Sequence, residues 1–214
     1  LLSALSQTVN PDSAFMRFNE FLANLPAGVQ LFSMFHARPG LLDLLAEVMG
    51  SAPSLAKHLS RNTTLLDGVL TGQFYQPLGT KKELTASLNS ALRSQQDFQD
   101  ILDAARSWAH DREFQIGIQL LRGIISGESA GKSLSVVAES TVSTLLKYVE
   151  KEFRNVHGII EGSEFVVVAM GKLGGKEMTF SSDLDVIFIY RSKLPRDSLS
   201  NGEKPLSISH YFGR

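Results

Sequence analysis

Gly171-Lys172-Leu173-Gly174-Gly175-Lys176-Glu177-Met178-Thr179-Phe180-Ser181-Ser182-Asp183-Leu184-Asp185 is the stretch on which the fold and chemistry of this chain turn. It separates two apolar runs, Phe165–Met170 and Val186–Tyr190, that read as strands. Residues i and i+2 of a strand share a face. A second strand opening on Asp183-Leu184-Asp185 therefore presents both carboxylates together, with Leu184 and Val186 turned into a core. Hard oxygen ligands of this kind suit Mg2+, which binds through one or two carboxylates plus substrate phosphates. Gly171, Gly174 and Gly175 leave backbone amides open to an anion.

A plainer reading makes Gly-Gly a hairpin turn and Ser-Asp a cap. The loop is longer than a tight hairpin needs. The carboxylates also stand at the mouth of an apolar strand, where an unpaired charge is expensive and a metal offsets that cost. Both features favour a metal-nucleotide site.

Upstream, residues 11 to about 158 read as helices and show no strand pattern. Phe15, Phe18, Phe21 and Leu25 recur at helical spacing behind Asp12 or Ser13 as cap, and Pro26 and Gly28 break that helix. Leu41–Val48, stopped by Gly50, forms the next helix. A short one opens at Ser51-Ala52-Pro53, and a turn or two follows at Leu65–Leu70. After a loop at Gly72–Thr80, the pattern predicts helices over Lys81–Ser107, Phe114–Ile125 and Leu134–Phe153, with a turn at Gly127–Gly131. Phe165–Ala169 is short, β-branched and apolar, as a buried strand should be. Arg191–Lys204 is a polar loop, and a helix starts at Ile208.

Composition excludes several classes. Apolar residues make up 43% of the 214, enough for a core, and the net charge of −1 does not suggest a nucleic-acid or membrane-surface binder. The absence of cysteine removes disulfides and thiolate metal sites and fits a cytoplasmic protein. No apolar run approaches the roughly 20 residues of a membrane span. The start, Leu1-Leu2-Ser3-Ala4-Leu5, lacks both an initiator Met and a signal-peptide pattern, and both ends read as cut.

Gly127-Glu128-Ser129-Ala130-Gly131-Lys132-Ser133 imitates a phosphate-binding P-loop. It has three residues between its glycines where four are needed, and it follows a helix rather than a strand. His36, His58, His110, His157 and His210 are scattered without metal-ligand spacing, and no GxSxG segment marks a hydrolase.

Met170-Gly171-Lys172 followed by Asp183-Leu184-Asp185-Val186 resembles the signature of the DNA-polymerase-β-type nucleotidyltransferases. The string from Gly171 to Phe188 closely resembles one branch, the glutamine synthetase adenylyltransferase family, in which Lys172 is the normal residue after Gly171. Leu25–Phe32, Leu41–Glu47 and Phe114–Gly123 are similar to the helical part preceding a catalytic domain in that family.

The resemblance implies an α+β, mostly α fold. Residues 1–130 form a helical region and 131–214 begin a polymerase-β-like nucleotidyltransferase domain that is incomplete. It implies transfer of an adenylyl group from ATP to a tyrosine of glutamine synthetase, in regulation of nitrogen assimilation, by the family's C-terminal half. The alternatives are the adenylyl-removing half, or a helical module that docks glutamine synthetase or a PII-type signalling protein. Asp183 and Asp185 would be catalytic and hold Mg2+. Gly171, Gly174 and Gly175 would cradle the phosphates of ATP. Ser182 would bond a phosphate or order the pair, and Lys172 would add charge or point to solvent. Enzymes of this superfamily take a third carboxylate from a later strand. Asp197 and Glu203 lie in the polar loop and do not supply it, so this stretch alone is expected to have little or no transferase activity.

Overall fold

A computed structural model describes residues 1–25 and 28–214. Pro26, read above as a helix breaker, lies outside the described residues. The chain divides into two compact units. The first comprises residues 1–78 and 110–130; the second comprises 79–109 and 131–214.

The first unit is helical. It contains α1 (Leu2–Ser6), α2 (Pro11–Ala23), α3 (Gly28–Ala37), α4 (Pro39–Ser51), α5 (Pro53–Arg61), α6 (Leu65–Leu70) and the C-terminal part of α8 (Phe98–Leu121). Three of these helices begin at proline, whose fixed φ and missing N–H suit the first helical position. The cap of α2 is Asn10, not Asp12 or Ser13. Its side chain accepts the Ser13 N–H at 3.3 Å, and Pro11 occupies the first helical position. Helix α3 replaces the expected break at Gly28, which becomes its first residue. Phe18, Phe21, Leu44, Met49, Leu59 and Phe114 are fully buried and form one cluster. At Gly117 of α8 a Cβ would collide with Leu55 of α5, so the absent side chain sets how closely those helices cross.

A polar group sits inside this unit. His58 Nε2 lies 3.0 Å from Asp111 Oδ1, and Nδ1 accepts from Asn62 at 3.3 Å. Burial pushes the nearby Glu113 carboxyl above its ordinary value, with His58 opposing. The folded carboxyl therefore keeps its proton to higher pH than the unfolded one. Stability falls as pH rises from 4.5 through the raised folded value, because the native state then carries a poorly solvated charge. Glu113→Gln is expected to stabilise the first unit at pH 7 by less than about 1 kcal/mol, a gain that vanishes below the ordinary carboxylate range. Urea melts of both chains at pH 4 and pH 7 measure it.

The second unit contains α7 (Lys81–Leu92), the start of α8, most of α9 (Gly127–His157), β1 (Ser163–Ala169), α10 (Gly171–Gly175), β2 (Val186–Ser192) and α11 (Ile208–Phe212). Thr80 and Glu83 form a capping box on α7: Thr80 Oγ1 accepts the Glu83 N–H at 3.3 Å, and Thr80 N–H donates to Glu83 Oε2 at 2.7 Å. The helix expected over Lys81–Ser107 is in fact two. Helix α7 ends at Leu92, and α8 starts after Asp97, whose carboxylate accepts the Asp100 N–H at 2.8 Å. A side chain that caps a new helix interrupts the old one. Helix α8 then runs unbroken through the expected gap before Phe114.

The turn expected at Gly127–Gly131 lies earlier, around Gly123 at φ +66°. Gly127–Lys132 instead forms the first turns of α9, with Ser126 Oγ accepting the Ser129 N–H. The P-loop look-alike is therefore helical throughout.

Strands β1 and β2 pair antiparallel, with Ser163 opposite Ser192 and Ala169 opposite Val186. They are not the buried strands expected. Ile187, Phe188, Ile189 and Tyr190 are 43–60% exposed, because two strands alone leave both sheet faces only partly covered. Phe188, Phe165, Phe212 and Tyr190 stack in that order on one face, with near-parallel rings. The segment after β2 returns to the end of α9. There Lys204 N–H donates to Val156 O, Gly202 N–H to His157 O and Asn201 N–H to Ile159 O.

Candidate functional site

Strand β1 delivers the chain to Met170, and Gly171 turns it at φ +50° into the single turn of α10. The glycine segment is thus a short helix rather than an open loop. Gly174 N–H donates to Met170 O at 2.8 Å, so that amide is not available to an anion. Gly175 is the last residue of α10, and the helix stops at Lys176, which sits in the left-handed region at φ 58°, ψ 39°. Glu177 N–H then donates to Lys172 O at 2.9 Å. Leu173 and Met178 are buried and anchor the turn from beneath, while Lys172 is exposed.

The return leg is a tight turn at Thr179–Ser182. Ser182 Oγ accepts the Thr179 N–H at 2.9 Å and also bonds Thr179 Oγ1 at 2.9 Å. Ser182 therefore shapes the loop. Asp183 and Asp185 lie in an irregular segment just ahead of β2, which begins at Val186. The ladder continues for one further rung, Met170 N–H to Asp185 O at 2.8 Å. No rung reaches Asp183, because Gly171 has already turned β1's chain away. Leu184 is 47% exposed instead of facing a core.

Two of the expected residues are brought into contact. A Cβ on Gly171 would collide with Asp185 Oδ2 and lie 3.2 Å from Asp185 Cγ, so the carboxylate rests directly against the bare backbone of the turn. Both carboxylates are exposed, so the expense of a buried unpaired charge does not argue for a metal here. Two hard oxygen groups nevertheless stand within three residues, one of them seated on the glycine turn. Among the described residues no group of three or more His, Cys, Asp or Glu could hold a metal.

Sequence reasoning missed four residues around this turn. Lys176 Nζ lies 3.9 Å from Glu139 Oε1 on α9, while Lys81 Nζ holds Glu139 Oε2 at 2.9 Å. A Cβ on Gly131 would stand 3.1 Å from Met178 O and 3.3 Å from Glu177 Cα. The look-alike glycine thus lets α9 pass close to the real glycine turn. Spacing alone carried no signal for these contacts, which join residues far apart in the chain.

A cavity of about 670 Å3 lies at the other end of β1, between Phe153, Arg154, Ile160, Phe165, Tyr211 and Phe212. None of the Gly171–Asp185 residues lines it. No helix of the described residues is long and apolar enough to cross a membrane.

Residues 42–214 match the model of the glutamate-ammonia ligase adenylyltransferase family, and this chain belongs to that family. It is similar over its whole length to proteins named bifunctional glutamine synthetase adenylyltransferase/adenylyl-removing enzyme. The identity is 40% for the one from Mesorhizobium japonicum, 41% for that of Brucella melitensis and 37% for that of Rhizobium meliloti. The chain spans 22% of the length of each of these relatives.

Proposed function

We propose that this chain carries the glycine turn and the two metal-binding carboxylates of a nucleotidyltransferase centre that moves an adenylyl group from ATP to a tyrosine of glutamine synthetase. The observation that carries this reading is the Asp185 carboxylate seated against Gly171, with the Met170–Asp185 hydrogen bond fixing the two legs of the motif together. That juxtaposition supports the reading because a carboxylate able to take a cation stands beside backbone that a polyphosphate can approach closely. The relatives' names supply the protein substrate.

The donor set fits Mg2+, being two carboxylates and no sulfur. Asp183 and Asp185 would hold the metal, which when bound neutralises phosphate charge and stabilises the attacking and leaving oxygens of an in-line displacement. Gly171 leaves room for the Asp185 carboxylate on a turn that would cradle the β- and γ-phosphates, and Lys172, exposed beside it, would add positive charge. Gly174 and Ser182 shape the turn through the bonds they make within it. The tyrosine oxygen forms a bond to the α-phosphorus as the bond to pyrophosphate breaks, and the hydroxyl proton is released.

The likeness of the helical lead-in to the family's C-terminal half favours the adenylylating direction. In the opposite direction phosphate attacks the AMP–tyrosine bond and gives ADP and free tyrosine. Asp183→Asn and Asp185→Asn in the full chain, with adenylylation and deadenylylation of glutamine synthetase assayed separately, decide between them. Loss of adenylylation alone supports the proposal. Loss of removal alone assigns the other half, and loss of neither discards the metal site.

A further inference from the structure

Lys176 is the one non-glycine residue with positive φ among the described residues. It stands where a helix is usually ended by glycine, which enters the left-handed region without penalty. Two glycines immediately precede it, yet the strained position itself carries a long cationic side chain. An outlier of this kind calls for a reason in the side chain. The structure supplies one: the ammonium reaches Glu139 on α9. Glu139 is mostly covered and shares its two oxygens between Lys176 and Lys81, the first residue of α7. Gly131, two turns earlier on α9, leaves room for the main chain of Glu177 and Met178. The loop that ends α10 therefore rests on α9 at a bare backbone contact and at an ion pair.

We propose that Glu139 and Lys176 are positioning residues for the glycine turn. Glu139 holds Lys176, and Lys176 fixes the direction in which the chain leaves α10. The Glu177–Lys172 hydrogen bond closes behind it, and Gly171 stays in register against Asp185. Helix α9 is thus the template on which the Gly171–Asp185 loop is set, and Lys81 keeps the shared carboxylate oriented. The inference rests on the nucleotidyltransferase reading for its consequence, but the positioning itself can be measured without nucleotide.

Lys176→Gly separates backbone shape from side-chain tether. If Lys176 served only to end the helix, glycine would do so with less strain, and exchange of the loop amides would slow or stay unchanged. The tether predicts the opposite: hydrogen exchange at Glu177 N–H about fivefold faster in both Lys176→Gly and Glu139→Gln, with the melting temperature of Lys176→Gly unchanged or raised. Lys176→Arg should restore wild-type exchange. Exchange unaltered or slower in Lys176→Gly and Glu139→Gln overturns the proposal, whatever the nucleotide result. Titration of Mg·ATP into the same full-length variants tests the consequence, with affinity expected about fivefold weaker in Lys176→Gly and Glu139→Gln and restored in Lys176→Arg. If the wild type binds no Mg·ATP, the nucleotidyltransferase reading fails while the exchange result still judges the tether. If it binds and the variants bind equally well, the proposed link between α9 and the site is refuted.

Discussion

Gly171→Ala is expected to cost about 2–4 kcal/mol of stability and to abolish measurable Mg·ATP binding. Two effects add. At φ +50° an L-residue pays about 1–2 kcal/mol for the left-handed conformation. The new methyl also lands on Asp185 Oδ2, with Asp185 Cγ at 3.2 Å and Cβ at 3.4 Å, so the carboxylate must move. Its backbone has little freedom to follow, because Asp185 O accepts the Met170 N–H at 2.8 Å and Val186 is already paired with Ala169. Either the side chain rotates away from the turn or the last rung of the ladder opens, and each outcome separates the carboxylate from the glycine backbone. Gly162→Ala is the control. Gly162 has φ +65°, but a methyl there would meet no atom within 4 Å, so it reports the conformational penalty alone. Thermal melts of the two variants should differ by the collision, and calorimetric titration with Mg·ATP should show loss only for Gly171→Ala.

The apolar period and the break at Phe165 sufficed to place most of the helices and both strands in the sequence, because burial of one helix face is a local, repeating requirement. The misplacements came from polar residues whose roles depend on backbone geometry. Asp97 and Ser126 cap helices, so the breaks fell beside them and not where apolar spacing weakened. Gly28 and Gly127 read as breakers but each begins a helix, a position where glycine is tolerated. At the site, Gly171 and Asp185 were each singled out in the sequence by a motif of fixed spacing, but their direct contact was not. The expected alternation across Asp183-Leu184-Asp185 was not realised, since strand alternation needs a partner strand and β1 ends before it can pair with Asp183. The support from Glu139, Lys81 and Gly131 was invisible for a different reason. Contacts between residues tens of positions apart leave no local period, and a left-handed Lys176 looks in sequence like any other lysine.

Gly202→Ala should be as damaging to the fold as Gly171→Ala, with a different functional outcome. The end of α9 leaves carbonyls without helical donors. The 199–207 segment supplies them, with Lys204 N–H to Val156 O at 3.1 Å and Gly202 N–H to His157 O at 3.1 Å, and just beyond the helix Asn201 N–H donates to Ile159 O at 3.2 Å. His157 Nδ1–H donates in turn to Lys204 O at 2.7 Å, and Tyr211 O–H donates to Gly158 O at 2.8 Å. Gly158 and Gly202 meet backbone to backbone. A Cβ on Gly202 would strike His157 C and Gly158 N and stand 2.6 Å from His157 O, with no flexible side chain to yield. The strap must therefore lift. Losing its three backbone hydrogen bonds, each worth about 1 kcal/mol net, predicts a destabilisation of about 3 kcal/mol. Exchange at Asn201, Gly202 and Lys204 should rise together, and limited proteolysis should cut within 193–207 sooner than in the wild type. The β1–β2 pairing and the Gly171–Asp185 contact use none of these bonds. Mg·ATP affinity measured well below the melting temperature should therefore stay within about twofold of wild type, as expected for sites that share no partner. Loss of affinity matching that of Gly171→Ala would mean that the strap and the glycine turn form one cooperative element.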